Sequence, residues 1–130
     1  MYTAVTEGIQ VTVTPAFLAE RSDPDQDQYF WAYTIEILNR GPRLMQLIAR
    51  HWLITDGNGK LEEVQGLGVV GEQPVLKPGE TFRYTSGCPL ATPTGIMAGT
   101  YTMTDEDGIS IEIEIPAFSL DVPEMRRVLN

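Results

Sequence analysis

Three groups of residues in this 130-residue chain have types and spacings that could do chemistry: Gly66-Leu67-Gly68-Val69-Val70-Gly71, Arg50-His51-Trp52, and the aspartates Asp23, Asp25 and Asp27. The first fits G-x-G-x-x-G, in which glycines let the backbone approach a pyrophosphate seated on a helix N-terminus. Here the motif runs into Glu72-Gln73-Pro74-Val75-Leu76-Lys77-Pro78-Gly79. Its two prolines cannot open such a helix, and no β-α-β unit surrounds it, so a dinucleotide fold is set aside. Two readings remain: flexible glycines in a crossover between sheets, or a loop whose N–H groups cradle a small anion such as pyrophosphate or a nucleotide phosphate. In the second, Gly66, Gly68 and Gly71 form the cradle and Arg50 supplies the cation.

Arg50 and Trp52 fall on one face of an otherwise apolar strand and His51 on the other. A half-buried guanidinium needs a carboxylate or carbonyls, an aromatic face, or an external anion. His51 is the only histidine, so a hydrolytic arrangement would have to join it to Ser22, Ser86, Ser110, Ser119 or Cys88. None of these serines sits in a nucleophile elbow, and no set of His and Cys at zinc-ligand spacing is present. The expectation is a chain without catalytic residues. Asp23, Asp25 and Asp27 match the opening of an EF-hand loop, but Gln28 and Thr34 stand where the glycine and the bidentate glutamate are required. That leaves weak divalent-cation binding by three carboxylates, or a solvated acidic loop.

Nine Lys and Arg face 18 Asp and Glu, a formal net charge of −9. Such a surface repels phosphate backbones and anionic headgroups, so neither nucleic acid nor membrane is an expected partner. The lone Cys88 cannot form an intramolecular bridge. The N-terminus has neither a basic nor an apolar leader region, and no run approaches the roughly 20 apolar residues of a membrane span. A cytoplasmic location is expected. At 42% hydrophobic, the chain reads as one domain, 1–130, able to bury a core without bridges or metal.

The elements that must position these residues are strands, since period-2 alternation dominates and no amphipathic helix stands out. Residues 8–18 put Ile9, Val11 and Val13 on one face and are ended by Pro15, which predicts an edge strand. Residues 28–39 alternate through Trp31, Tyr33, Ile35 and Ile37, and residues 44–55 are apolar on both faces, as in a central strand. Weaker or shorter strands are predicted at 61–66, 79–86 and 97–104, and a clear one at 109–116 with Ile109, Ile111, Ile113 and Ile115 in one row. About seven short strands separated by turns predict a β-sandwich. Tyr101 stands two residues before Met103 as the strand-F tyrosine of immunoglobulin-like domains stands before a cysteine, and Trp52 falls on the third strand. Without a cysteine pair, the fibronectin type III-like variant is expected. Phe30 and Leu38 project from the outer face of the second strand, as a contact surface or beneath a covering loop.

Several motifs in order give a more specific resemblance. Tyr2-Thr3-Ala4-Val5-Thr6-x-Gly8-Ile9, Arg50-His51-Trp52-Leu53-Ile54-Thr55-Asp56, Gly66-x-Gly-x-x-Gly71-Glu72-Gln73-Pro74, Leu76-x-Pro-Gly-Glu80, Tyr84-Thr85-Ser86-Gly87-Cys88-Pro89-Leu90 and Ile115-Pro116-Ala117-Phe118-Ser119-Leu120 together resemble the ApaG family. The resemblance covers nearly the whole chain and implies a fibronectin type III-like sandwich. It also implies an association with cobalt resistance and magnesium efflux. Related domains in F-box proteins and a polymerase delta-interacting protein imply a protein-binding module. It carries over no catalytic residue, and a phosphate-binding role for the glycine motif is implied only as a suspicion. The leading expectation is therefore a non-catalytic module with a protein partner. Small-anion or divalent-cation binding is the alternative, and a homodimer could form through an edge strand and exposed aromatics.

Overall fold

Strands that alternate apolar and polar side chains need a second sheet to cover their apolar face, and the chain supplies it from its own second half. The computed structural model describes residues 1–123, and among them the strands are β1 (Tyr2–Thr6), β2 (Ile9–Phe17), β3 (Tyr29–Asn39), β4 (Met45–Asp56), β5 (Leu61–Leu67), β6 (Val75–Leu76), β7 (Thr81–Leu90), β8 (Thr94–Asp105) and β9 (Ser110–Asp121). One antiparallel sheet has the order β1-β2-β3-β7 and the other β5-β4-β8-β9, with the short β6 also pairing β4. Ile9, Val11, Val13, Ile35 and Ile37 of the first sheet meet Leu47, Trp52, Tyr101, Met103, Ile113 and Ile115 of the second in one buried cluster. The expected all-β sandwich is the fold. The last seven residues of the expected domain lie outside the described ones.

Three departures from the sequence reading have local causes. Residues 8–18 are not an edge, because β1 folds back on β2 through Glu7 and Gly8, whose φ values are 51° and 81°. The β1 ladder stops at Tyr2 opposite Val13, so Pro15 lies beyond it, where one side of β2 has no ladder bond to lose. Residues 44–55 look apolar on both faces because a bulge reverses their phase. Leu47 pairs with Met103 but Ala49 pairs with Thr102, which makes Ile48 the extra residue. Met45 and Leu47 face inward before it, Trp52 after it. A second bulge does the same in β9, where the partners step from Phe118 opposite Met97 to Ile115 opposite Gly99. Phe118 and Leu120 thereby join Ile113 and Ile115 inside, whereas Ile109 lies before the strand and is exposed.

The two long sides of the sandwich are closed differently. On one side β1 stitches β9: the Glu114 N–H donates to Thr6 Oγ1 at 3.2 Å and the Ser119 N–H to the Tyr2 hydroxyl at 3.4 Å. Trp31 Nε1 reaches across to the Asp121 carbonyl at 2.9 Å. Near one end, the buried Asn39 side chain donates to the carbonyls of Arg43 and Leu76 and accepts from the Gly41 N–H, so all its polar atoms are satisfied. On the other long side, β7 is the last strand of its sheet and β5 the last of the other, and the gap between them stays open.

The outer face of β3 is covered in part. Phe30 lies on Gly87, where a Cβ would come within 2.7 Å of its ring, and the Arg21 guanidinium stacks 4.6 Å from the ring centroid. The loop that brings Arg21 there is pinned by Ser22, whose Oγ accepts the Phe30 N–H at 3.0 Å. Phe30 is thus a covered aromatic, the second of the two readings its position allowed.

Candidate functional site

The bulge at Ile48 decides what Arg50 can reach. With the phase of β4 reversed, Arg50 turns to the face of Trp52 and enters the open gap between the sheets. Its Nη1 donates to the carbonyls of Leu67 at 3.1 Å and Gly68 at 3.0 Å. The guanidinium lies flat against Gly66, where a Cβ would stand 2.9 Å from Nη1 and 3.1 Å from Cζ. Gly66 and Gly68 therefore lie against the arginine, while the Cβ position of Gly71 meets nothing within 4 Å.

The loop, however, offers Arg50 its carbonyls. Its Gly68 N–H donates to the Ile48 carbonyl at 2.8 Å, and Val69 and Glu72 exchange both backbone bonds, at 2.8 and 2.9 Å. Between them Val70 and Gly71 have φ values of 44° and 81°, the signs of a two-residue hairpin turn of type I′. Gly68 is held so close to this turn that a Cβ would lie 2.3 Å from the Glu72 carbonyl oxygen. The amides of Gly68, Val69 and Glu72 are thus engaged within the fold, and the guanidinium is the charged donor that lines the gap.

That guanidinium faces a cleft of about 350 Å3 lined by Tyr33, Trp52, Tyr84, Ser86 and Cys88, with the exposed Glu62 and Val70 also on its walls. Tyr33 and Ser86 are ladder partners on β3 and β7. The Tyr84 hydroxyl pairs with that of Tyr101, buried behind the cleft, rather than with backbone as in an immunoglobulin tyrosine corner. Burial raises the pKa of Tyr33, Tyr84 and Tyr101, and the charge of Arg50 opposes the rise in each. Burial likewise pushes the Cys88 thiol up to about 11, with Glu62 adding to the shift, so it stays protonated near neutrality.

No carboxylate pairs with Arg50 among the described residues. The ion pairs there join Arg43 to Asp105 and Asp107, His51 to Glu63, and, at 3.9 Å, Arg83 to Glu36. In a chain with twice as many acids as bases, a half-buried guanidinium with only two carbonyl contacts keeps donors free for a ligand.

The other candidates do not converge on this cleft. His51 lies on the opposite face of β4, bonded to Glu63, which also accepts from Gln65 Nε2 at 3.2 Å. Arg50 and Ser86 therefore share a pocket and His51 does not, so no His–Ser or His–Cys pair forms around it. Asp23, Asp25 and Asp27 are exposed around a single 3-10 turn at Pro24–Gln26, closed by backbone bonds between Asp23 and Gln28. Among the described residues no three His, Cys, Asp or Glu side chains converge to hold a metal ion, and no helix is long and apolar enough to cross a membrane. Tyr33 and Tyr84 were missed in the sequence, and Ser86 stood out there only as a possible nucleophile for His51. Their inward parity on adjacent alternating strands was a usable signal, but the phase reversal that brings Arg50 to them was not.

Comparison with known proteins agrees with this fold. The family model described as ApaG domain matches residues 19–105. Relatives called Protein ApaG from Methylocella silvestris and Beijerinckia indica subsp. indica are 65% and 63% identical over 130 residues, covering all of this chain and of each relative. A crystal structure of an ApaA protein from Bordetella pertussis superposes with a TM-score of 0.87 at 56% identity, covering 88% of this chain and 94% of that one. These names state no reaction.

Proposed function

Since the chain belongs to the ApaG family, whose names specify no activity, we propose from the site itself that it is a non-catalytic binding module that grips an anionic group of a protein partner in the cleft at Arg50. The observation that carries this reading is the half-buried guanidinium. It is oriented by the carbonyls of Leu67 and Gly68, has no carboxylate paired with it among the described residues, and faces an open gap. A planar fork of donors so fixed suits a carboxylate or a phosphate and loses little entropy on binding. The hydroxyls around it are held protonated by burial and remain donors as well as acceptors.

The link to cobalt and magnesium handling would then run through the partner. No three potential ligands converge among the described residues, so this chain is proposed to act without holding the ion itself.

The test is a titration of labelled protein with acetate and with inorganic pyrophosphate, followed by amide and Arg Nε–H shifts. Saturable shifts at Arg50, Val70 and Ser86 that vanish in Arg50→Gln are expected. Absence of saturable shifts at high millimolar anion overturns the reading.

A further inference from the structure

The sandwich has four sheet edges, and three of them are guarded. β1 and β9 are stitched to one another through Thr6 and Tyr2. β5 carries Glu62 and Glu63 side by side, charges of the kind that keep strands from pairing further. β7 is different: Thr81-Phe82-Arg83-Tyr84-Thr85-Ser86-Gly87-Cys88 runs without a proline and with one charge before reaching Pro89. An edge this long and plain is uncommon in natural sheets unless something pairs with it.

The backbone groups that face outward follow from two bonds. The Arg40 N–H donates to the Gly8 carbonyl, and the Asn39 N–H to the Glu80 carbonyl. Even-numbered residues of β3 therefore turn their bonds toward β2 and odd-numbered ones toward β7. With Ile35 opposite Tyr84 and Tyr33 opposite Ser86, the even residues of β7 are engaged. Arg83, Thr85 and Gly87 are left with N–H and C=O pointing away from the sheet, and Pro89 ends the row of donors.

This free row borders the cleft, whose lining includes Ser86, Gly87 and Pro89 as well as Arg50. A strand laid along β7 would continue its pleat, so alternate side chains would drop into the gap beside Ser86 and face the guanidinium. We propose that β7 is a docking strand: an extended segment of another protein adds to its edge at Arg83–Gly87 and sets an acidic side chain on Arg50. The charge along this edge selects that occupant. The only ionised group on β7 is a cation, and among the described residues no carboxylate lies within ion-pair distance of Arg50, the Glu62 on the cleft wall included. A second copy of the chain pairing through the same strand brings no acid, because Thr81–Leu90 contains none. The inference rests on the anion-binding reading of Arg50 and adds to it the partner's backbone.

The probe is the peptide acetyl-VTVEVTV-amide, added to full-length labelled protein. Slower hydrogen exchange at the amides of Arg83, Thr85 and Gly87 is expected, together with shifts at Arg50. Replacing the peptide's glutamate by glutamine is expected to weaken binding by about tenfold or more, the value of a charge-assisted bond. Thr85→Pro removes one outward N–H and no backbone bond to β3, together with the exposed hydroxyl contact between Thr85 and Thr34. It should abolish peptide binding while the acetate response of Arg50 persists. If Thr85→Pro lowers the unfolding midpoint, a peptide N-methylated at alternate residues asks the same question of the unaltered protein, and should not bind.

The outcomes separate the two readings. Shifts at Arg50 without slower exchange at the three amides overturn the docking strand and leave the anion site standing. Slower exchange that is indifferent to the peptide's glutamate and to Arg50→Gln overturns the acidic partner, whereas the anion site stands or falls by the acetate response at Arg50. Protection of the same amides that grows with protein concentration alone, without peptide, identifies a second copy as the occupant and overturns the proposal.

Discussion

The guanidinium of Arg50 fills the place where Gly66 lacks a side chain, and a Cβ there would stand 2.9 Å from its Nη1. Gly66→Ala is therefore expected to displace the arginine rather than the strand. The far end of a flexible side chain yields more cheaply than backbone, so the stability loss should be about 1 kcal/mol, at the low end for overpacking. The anion response at Arg50 should fall much further than stability does. Chemical denaturation and the acetate titration, run on the same variant, check the two halves.

Val70 holds a φ of 44° at the first central position of its turn, a conformation that costs a β-branched residue about 1–2 kcal/mol. Asparagine tolerates it, and Val70→Asn would produce the Asn-Gly pair that type I′ hairpins favour. We expect Val70→Asn to raise stability by about 0.5–1 kcal/mol, read as a higher urea midpoint at unchanged slope. Because Val70 is 60% exposed and lines the cleft, the same substitution should weaken binding there. A variant that is neither stabilised nor weakened would show that the strain has no role.

Cys88 is 3% exposed, and burial raises its thiol from an ordinary 9.0 to about 11. Alkylation of the folded protein at pH 8 should be slow and should accelerate sharply in denaturant. The sign of its linkage follows. Between pH 9 and 11 the unfolded chain releases this proton while the folded chain keeps it, so stability should fall as pH rises through that window. Cys88→Ala should flatten the fall, measured as the pH dependence of the denaturation midpoint.

Asp105 carries the opposite shift. Its Oδ1 accepts the N–H groups of Ile109 at 3.0 Å and Asp107 at 2.9 Å, and Arg43 reaches Oδ2 at 3.0 Å. The Ile109 bond contributes most to holding its pKa below the ordinary carboxylate value. A depressed folded pKa gives stability that is present above the unfolded value and lost as pH falls through the folded one. Carbon-detected titration should find Asp105 titrating below the ordinary carboxylate value. In Arg43→Gln it should remain depressed, because the backbone bonds survive.

Much of the fold was legible because alternation survives wherever a strand keeps one phase. Trp31, Tyr33, Ile35 and Ile37 read as one row and are one row. The bulges at Ile48 and near Pro116 were not legible, since a single extra residue leaves composition unchanged while exchanging the faces of everything beyond it. That is why residues 44–55 looked apolar on both sides. β1 was missed for a related reason: Tyr2-Thr3-Ala4-Val5 has little apolar weight, and its place is secured by a ladder and by bonds to β9. At the site, Arg50 and the glycines stood out in the sequence as residues that belong together. What the glycines do for Arg50 depends on which side of each peptide faces it, and residue types do not encode that.

The stitched side of the sandwich also sets where the chain begins and where its described part stops. Met1, Tyr2 and Pro123 border one surface hollow with Phe17 and Trp31, which shares no lining residue with the Arg50 cleft. The closeness of residues 1 and 123 permits the 1–123 unit to be inserted into a loop of a host protein, or these two positions to be bridged and the ring reopened at the exposed Gly57-Asn58-Gly59 turn. Either rearrangement would leave the cleft clear, so the module can be displayed, tethered or paired with a reporter without hiding the surface that the experiments above interrogate.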